Sequence, residues 1–441
     1  MHRHIAVIAI RALAAAALIV LLTGCGQTAQ LRLIGALSYA NTYASNPGLL
    51  LDEFKSRFTD PFVLETVPSK TLVERIETGR TEGAAIREVP FFMQGEYGCG
   101  PAALAGVLGF HGVNADPKEI ARQVVVPEIG GTLCTDMVAY PRTRGLWSEQ
   151  HLGSPGLLRK HIGGGRPVVC LLGTGAIGFA GHYIIVTACA PGEGVVCHDG
   201  KRANAFLPWR EFEALWNAGR RWMLVACPPE DVNWQLPSRL KNELGRLLHE
   251  RGQLEKALAQ YEASFEAQKT DRARARVKYN IGLSLFGLGR LKEAQESFGK
   301  ALEFDPELPD ASNGLAYTLA TLGTNLDEAE QLTRKALESA GANRALYMDT
   351  LGYVLHRLGK DNEAVMTLRE ALENIGGDVE LEAEISYHLG LACGNDPEER
   401  TLFLKKAVEL SPESPSGRRA AALLEKEKKG RSPVDERKSG G

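Results

Sequence analysis

The residues with chemistry to offer gather around one cysteine. Cys99 stands in Gly98-Cys99-Gly100-Pro101, ahead of an apolar run with helical spacing from Pro101 to Phe110. Proline suits the first turn of a helix, where its missing N–H is no loss, so this pattern places the thiol at a helix N-terminus. There the helix dipole and unpaired N–H groups favour the thiolate and lower its pKa. Gly100 is expected to relieve crowding around the sulfur. Upstream, Val89-Pro90-Phe91-Phe92-Met93-Gln94 ends on an amide. With the Cys99 backbone N–H, the Gln94 N–H₂ would stabilise the oxyanion formed when a thiolate attacks an acyl carbon.

A thiolate nucleophile needs a base, and the base needs a third group to fix its tautomer. Of ten histidines, His182 opens the apolar strand His182-Tyr183-Ile184-Ile185-Val186, after the turn Gly178-Phe179-Ala180-Gly181. That sets an imidazole at the mouth of a sheet, facing a helix N-terminus. The next strand ends Cys197-His198-Asp199-Gly200. A two- or four-residue hairpin loop puts even-numbered residues of one strand on the same face as odd-numbered residues of the other. His182 then shares its face with Asp199 and not with His198. The same register separates Cys189 from Cys197, so both are expected as buried thiols and not as a disulfide. An Asp before a Gly is also a common turn pairing. A lone Cys at a helix start is ordinarily a small buried hydrophobe; Gln94, the flanking glycines and His182 together weigh against that for Cys99.

The elements that must position these groups form an α+β pattern over residues 88–229. Helices are expected over Pro101 to Phe110 and Leu157 to Ile162. Strands are expected over Pro167 to Leu172, His182 to Cys189, Gly194 to His198 and Trp222 to Cys227. Ala190-Pro191-Gly192-Glu193 joins the middle two strands as a hairpin. Tyr183, Trp209, Trp216 and Trp222 are expected to pack the core.

Beyond Leu236 the chain repeats itself. Leu244-Gly245 with Gly252 and Ala257 recurs as Ile281-Gly282 with Gly289 and Ala294, as Leu315-Ala316 with Gly323 and Ala329, and as Leu351-Gly352 with Gly359 and Ala364. A fifth, degraded copy begins at Leu389-Gly390. This is the period of tetratricopeptide repeats, giving an all-α solenoid over 237–412 of about five units. Small residues let the helices of a unit approach, and large ones such as Phe298 fill the gap to the next. The third unit carries one extra residue before Ala329. From 413 to 441, Lys, Arg, Glu, Ser and Gly dominate, and a disordered tail is expected.

The N-terminus reads as an address. Arg3 and Arg11 precede an apolar run from Ala12 to Leu22, about half of what a membrane-spanning helix needs. Leu22-Thr23-Gly24-Cys25 follows and resembles a lipobox, so residues 1–24 are expected as a lipoprotein signal peptide and Cys25 as the lipidated residue. Gly26, where an Asp would favour the inner membrane, implies sorting to the outer membrane, facing the periplasm. Residues 25–87 are expected as a tether with helix around Leu49 to Phe58 and Leu72 to Ile76.

Bulk properties exclude several classes. A net charge of −3 gives no electrostatic footprint for nucleic acid. Eight cysteines are scattered without CxxC spacing or metal-ligand spacing to His, which argues against a zinc centre and a disulfide framework. No cofactor or metal is expected.

The stretch Pro90 to Leu104, with Gly131-Thr132, Gly165-Arg166-Pro167-Val168-Val169 and Gly181-His182-Tyr183, resembles the C39-like cysteine peptidases, in the branch of bacterial lipoproteins with C-terminal tetratricopeptide repeats. The resemblance implies a papain-like fold with Cys99 as nucleophile, His182 as base, Asp199 as orienter and Gln94 in the oxyanion hole. Exporter-linked members trim double-glycine leader peptides. This chain has no GxxxxGK[ST] loop and no transmembrane bundle, so the resemblance does not extend to ATP dependence or to that substrate. The expected function is a membrane-anchored peptidase whose repeats recruit a peptide or protein substrate or partner. The alternative is an envelope scaffold with a non-proteolytic papain-like domain.

Overall fold

The computed structural model of the protein describes residues 67–95, 98–127, 130–173 and 181–430. The expected signal peptide, Cys25, the helix around Leu49 to Phe58, the turn Gly178 to Ala180 and residues 431–441 lie outside them. The chain divides into two units between Asn233 and Trp234. No helix among the described residues is long and apolar enough to cross a membrane.

The first unit begins with α1 (Val67–Glu77), β1 (Ala84–Ala85), α2 (Cys99–Phe110), α3 (Pro117–Val124), β2 (Val125–Val126), β3 (Gly131–Thr132) and α4 (Cys134–Thr143). It continues through β4 (Trp147–Leu152), α5 (Pro155–Gly163), β5 (Val168–Gly173), β6 (Gly181–Ala190), β7 (Gly194–His198), β8 (Ala205–Pro208), α6 (Trp209–Ala218) and β9 (Trp222–Cys227). Among the described residues its sheet has seven strands in the order β4-β9-β5-β6-β7-β8, with β1 also paired to β6. All of these pairs are antiparallel.

Central strands β5 and β6 are nearly continuous apolar runs because helices cover both faces. β6 is buried from Tyr183 to Ala190. Edge strands β4 and β8, absent from the expected set, carry weak strand signals of their own. Trp-Ser-Glu-Gln-His-Leu in β4 alternates toward exposure along its length, and four-residue β8 ends in a proline, which an edge strand tolerates. Helix α2 lies close on β6. At Gly106 a Cβ would run into the Ile185 side chain and stand 2.8 Å from the Pro90 carbonyl oxygen, so a missing side chain sets that approach.

The β6–β7 hairpin departs from the expected loop length. Ala190 pairs with Gly194 and Ala188 with Val196, so the loop has three residues and the opposite parity. A bulge at Thr187 then shifts the register, and beyond it Val186 pairs with Cys197 and Ile185 with His198. The expected parity is absent beside the loop and present at the end that carries His182. Cys189 and Cys197 are buried free thiols, and burial pushes the Cys189 thiol up to about 12.

The second unit is helical throughout its described residues. It stacks α7 (Ser238–Glu250) on α8 (Leu254–Phe265), α9 (Asp271–Gly287) on α10 (Leu291–Phe304), and α11 (Pro309–Leu322) on α12 (Leu326–Glu338). Two more pairs follow: α13 (Arg344–Arg357) with α14 (Asp361–Glu373), and α15 (Val379–Ala392) with α16 (Pro397–Leu410). One contact repeats: a first-helix glycine faces a large residue of the second, Gly245 against Tyr261, Gly282 against Phe298 and Gly390 against Leu404. Phe298 is fully buried and also meets Gly314 of the next unit. In the third unit the extra residue is taken up where Gly323 and Asn325 both turn left-handed, at φ 73° and 50°.

The expectation of a disordered tail from 413 is corrected by α17 (Pro415–Gly430). Ala420, Leu423 and Leu424 recur at helical spacing and close over Leu404 and Ala407, with Ala420 fully buried. A solenoid's last repeat needs such a cover, apolar inward and polar outward. The Lys- and Glu-rich composition that suggested disorder is the polar face of that cap.

Candidate active site

Cys99 is the first residue of α2, whose N-cap, Gly98, has no side chain to bond the leading N–H groups. The His182 imidazole and the backbone N–H groups of Tyr183 and of Cys99 itself act on the sulfur. Burial works to raise the thiol's pKa. The His182 hydrogen bond and charge, with the two backbone donors, outweigh it and hold the thiol below its ordinary value. Burial works on His182 in the other direction, downward. The thiol, the Asp199 carbonyl and the Asp199 charge outweigh it and raise the imidazole. Opposite shifts in a neighbouring Cys and His favour thiolate and imidazolium together.

The orienting group differs from the expected one. His182 Nε2–H donates to the main-chain carbonyl oxygen of Asp199 at 2.7 Å, which leaves Nδ1 for the sulfur. The Asp199 carboxylate faces away and is buried in its own turn. Oδ1 accepts from the Lys201 and Arg202 N–H groups at 2.9 and 2.6 Å, and Oδ2 accepts from the Arg202 guanidinium Nε at 3.1 Å. Asp199 does stand beside His182, as strand parity expects, but it meets the ring through its main-chain oxygen. Asp199 leaves β7 at a bend, where a short carboxylate closes on the N–H groups ahead of it and turns its own peptide oxygen toward the imidazole.

His198, set aside by parity, is structural. Its Nε2 meets the Val89 carbonyl oxygen at 2.8 Å, its Nδ1 accepts from the Asn204 N–H at 3.1 Å, and Phe91 packs against its ring. It ties the chain leading to Cys99 onto β7.

Gln94 is held against the same turn. Its N–H donates to the Gly200 carbonyl at 2.7 Å, and its carbonyl accepts from the Gly98 N–H at 3.1 Å. The side-chain Oε1 is buried without a hydrogen-bond partner, and a half-turn of the amide would bring the N–H₂ donor to that place. Gly200 makes room for it: φ is 79°, and a Cβ there would lie 2.6 Å from Oε1. Gly100 serves a different neighbour from the expected sulfur, since its Cβ would stand 2.6 Å from the Thr132 hydroxyl.

The sequence places Tyr183 and Trp222 only in the core and does not foresee their contacts beside the site. Besides its backbone N–H to the sulfur, Tyr183 donates its hydroxyl to the Thr132 carbonyl at 3.1 Å and meets Cys134 Sγ at 3.3 Å. Trp222 packs edge-on against Tyr183, its Nε1–H held by Gln150 at 2.8 Å. Nothing in the spacing of Thr132, Cys134 and Tyr183 advertises that contact. The Asp199-Gly200 dipeptide did carry a signal for the turn.

Fold and site together define an α+β domain with an antiparallel sheet, in which a helix-borne thiol meets a strand-borne imidazole, followed by an all-helical repeat stack. The comparisons make the class specific. Residues 86–222 match the Peptidase_C39 like family, and residues 237–307 and 279–345 match tetratricopeptide-repeat families. The chain carries a Peptidase_C39-like domain followed by tetratricopeptide repeats. No curated protein matches it. Among solved structures it is similar to MamA from Desulfovibrio magneticus RS-1, with 21% identity, a TM-score of 0.32, and coverage of 40% of this chain and 97% of that one. A thermophilic TPR protein in Thermus thermophilus shares 21% identity at a TM-score of 0.35, covering 43% and 99%. YrrB, a TPR protein with an unusual peptide-binding site, shares 23% at 0.30, covering 42% and 92%.

Proposed function

We propose that the protein is a cysteine peptidase that cleaves a peptide bond through an acyl-enzyme. What supports this most is Cys99 at the start of α2 acting with His182, whose Nε2 is held by the Asp199 carbonyl, with thiol and imidazole shifted in opposite directions. The Cys99 thiolate attacks the scissile carbonyl carbon. The oxyanion is received by the Cys99 N–H and the Gln94 amide. His182, as imidazolium, gives its proton to the leaving amine as the C–N bond breaks, leaving a thioester. It then takes a proton from water, whose attack releases the acid and regenerates the pair. The Asp199 carbonyl keeps the ring in the required tautomer throughout. The domain's papain-like character belongs to this proposal.

The repeats are proposed to recruit the substrate or a partner protein, and Cys25 to anchor the chain by a lipid to the outer membrane, facing the periplasm. Labelling with a thiol-directed acyl electrophile at neutral pH tests the first reading: Cys99 should be modified, and His182→Ala should suppress it. Labelling that His182→Ala leaves untouched would count decisively against the peptidase. For the anchor, Cys25→Ser should move the protein from the membrane to the soluble fraction, and a variant that stays bound would refute lipidation.

A further inference from the structure

The repeat unit holds a buried constellation that the peptidase reading does not use. Glu384 and His388 stand one helical turn apart on α15, on the same face, and Asp349 faces them from α13. A carboxylate oxygen of each acid and one imidazole nitrogen all lie within 4.8 Å of one another. Asp349 and His388 are almost wholly buried, at 1% and 2% exposure. His388 Nδ1 meets Asp349 Oδ1 at 2.8 Å.

We propose that these three side chains form a binding site for a divalent first-row transition cation of the zinc class. Two carboxylates brought together inside a protein repel, and both must be compensated if they are to stay ionised. A dication neutralises the pair, and one imidazole with two carboxylates is a ligand set suited to it. Tetrahedral ligands about 2.0–2.2 Å from zinc stand about 3.3–3.6 Å from one another. A spacing within 4.8 Å therefore needs only a modest adjustment, His388 and Asp349 parting from 2.8 Å as the ion takes the place of their hydrogen bond.

The surroundings are those of an oriented ligand shell. Tyr317 donates its hydroxyl to Glu384 Oε1 at 2.9 Å, so that oxygen is aimed before any ion arrives. Tyr353 stacks on the His388 ring, centroids 4.5 Å apart and planes at 16°, which fixes the imidazole plane. Arg419 of α17 acts on both Glu384 and His388 and offsets part of the Glu384 charge. Spacing along the chain could not reveal this set, because Asp349 comes from a different repeat. Bound there, an ion would pin α13 to α15.

Cobalt(II) titration of the metal-free full chain tests the site, because cobalt bound to nitrogen and oxygen lacks the intense charge-transfer absorption that thiolate ligands give. One equivalent should bind with a nitrogen–oxygen spectrum and raise the melting temperature of the repeat unit. Asp349→Asn and Glu384→Gln keep shape and hydrogen bonding, and each should weaken cobalt binding by about 100-fold or more, with Tyr317→Phe costing about tenfold. Zinc should displace the cobalt. Absence of binding to the wild type would overturn the proposal. So would a thiolate-type spectrum, or equal uptake by the two isosteric variants while circular dichroism shows them folded.

Discussion

The atom that orients His182 can be distinguished by two substitutions with very different expected costs. His182→Ala removes the hydrogen bond and charge that hold the Cys99 thiol down, while the burial that pushes it up remains. A hydrogen bond to a charged group contributes about 1.5–3 kcal/mol, so alkylation of Cys99 by iodoacetamide at mildly acidic pH should slow about 10–100-fold. Asp199→Asn behaves differently. The carbonyl that receives His182 Nε2–H is main chain and survives. Asparagine Oδ1 can still accept from the Lys201 and Arg202 N–H groups. What is lost is the smallest of the effects raising His182, the Asp199 charge, and the Arg202 guanidinium on buried Oδ2, a charge-assisted contact whose removal should lower stability by about 1.5–3 kcal/mol. Alkylation should change by less than about threefold, equivalent to roughly 0.6 kcal/mol. The assay is pseudo-first-order alkylation followed by mass spectrometry, beside urea unfolding of each variant. If Asp199→Asn slows Cys99 as much as His182→Ala at unchanged stability, the carboxylate is the orienter and the argument from the carbonyl is wrong.

The same pair sets a pH window. Rising pH forms the thiolate as it passes the lowered Cys99 pKa and removes the imidazolium as it passes the raised His182 pKa, so turnover should be bell-shaped, and a profile that only rises would contradict the ion pair. Gly200→Ala places a Cβ at φ 79° and 2.6 Å from Gln94 Oε1; a loss of about 1–2 kcal/mol of stability is expected from the backbone alone, with slower Cys99 acylation as Gln94 is displaced. Phe298→Ala empties the space that Phe298 fills between Gly282 and Gly314 and should cost about 3–5 kcal/mol, read as a lower denaturation midpoint of the repeat unit. Ending the chain after Leu410 strips α17 from Leu404 and Ala407; dye binding to exposed apolar surface should rise, and an unchanged signal would mean the last repeat needs no cap.

Much of this was legible because local physics decided it. The helix that starts at Cys99 follows from Pro101 and an apolar run. The buried strands β5 and β6 follow from runs of Val, Ile, Leu and Cys that only a covered sheet accommodates. The helix pairs follow from glycines repeated in phase with large residues such as Phe298. Where segments were misread, the deciding partner lay far away. β4 is a strand because β9 pairs with it, not because of its own residues. Residues 415–430 carry a polar composition that is compatible with disorder in isolation, and Leu404 and Ala407 order them as a helix.

The places of the thiol and the imidazole were therefore legible in the sequence alone, since helix starts and strand starts are properties of a few neighbouring residues, whereas the parity that set Asp199 beside His182 was not. The tertiary structure decided which atoms meet. A bulge at Thr187 restored the parity that the three-residue loop had broken, and the hydrogen bonds of the Asp199-Gly200 turn sent a carbonyl toward His182 and a carboxylate toward Arg202. Those outcomes depend on hydrogen bonds whose competing alternatives are nearly equal in energy along the chain. Packing chooses among them.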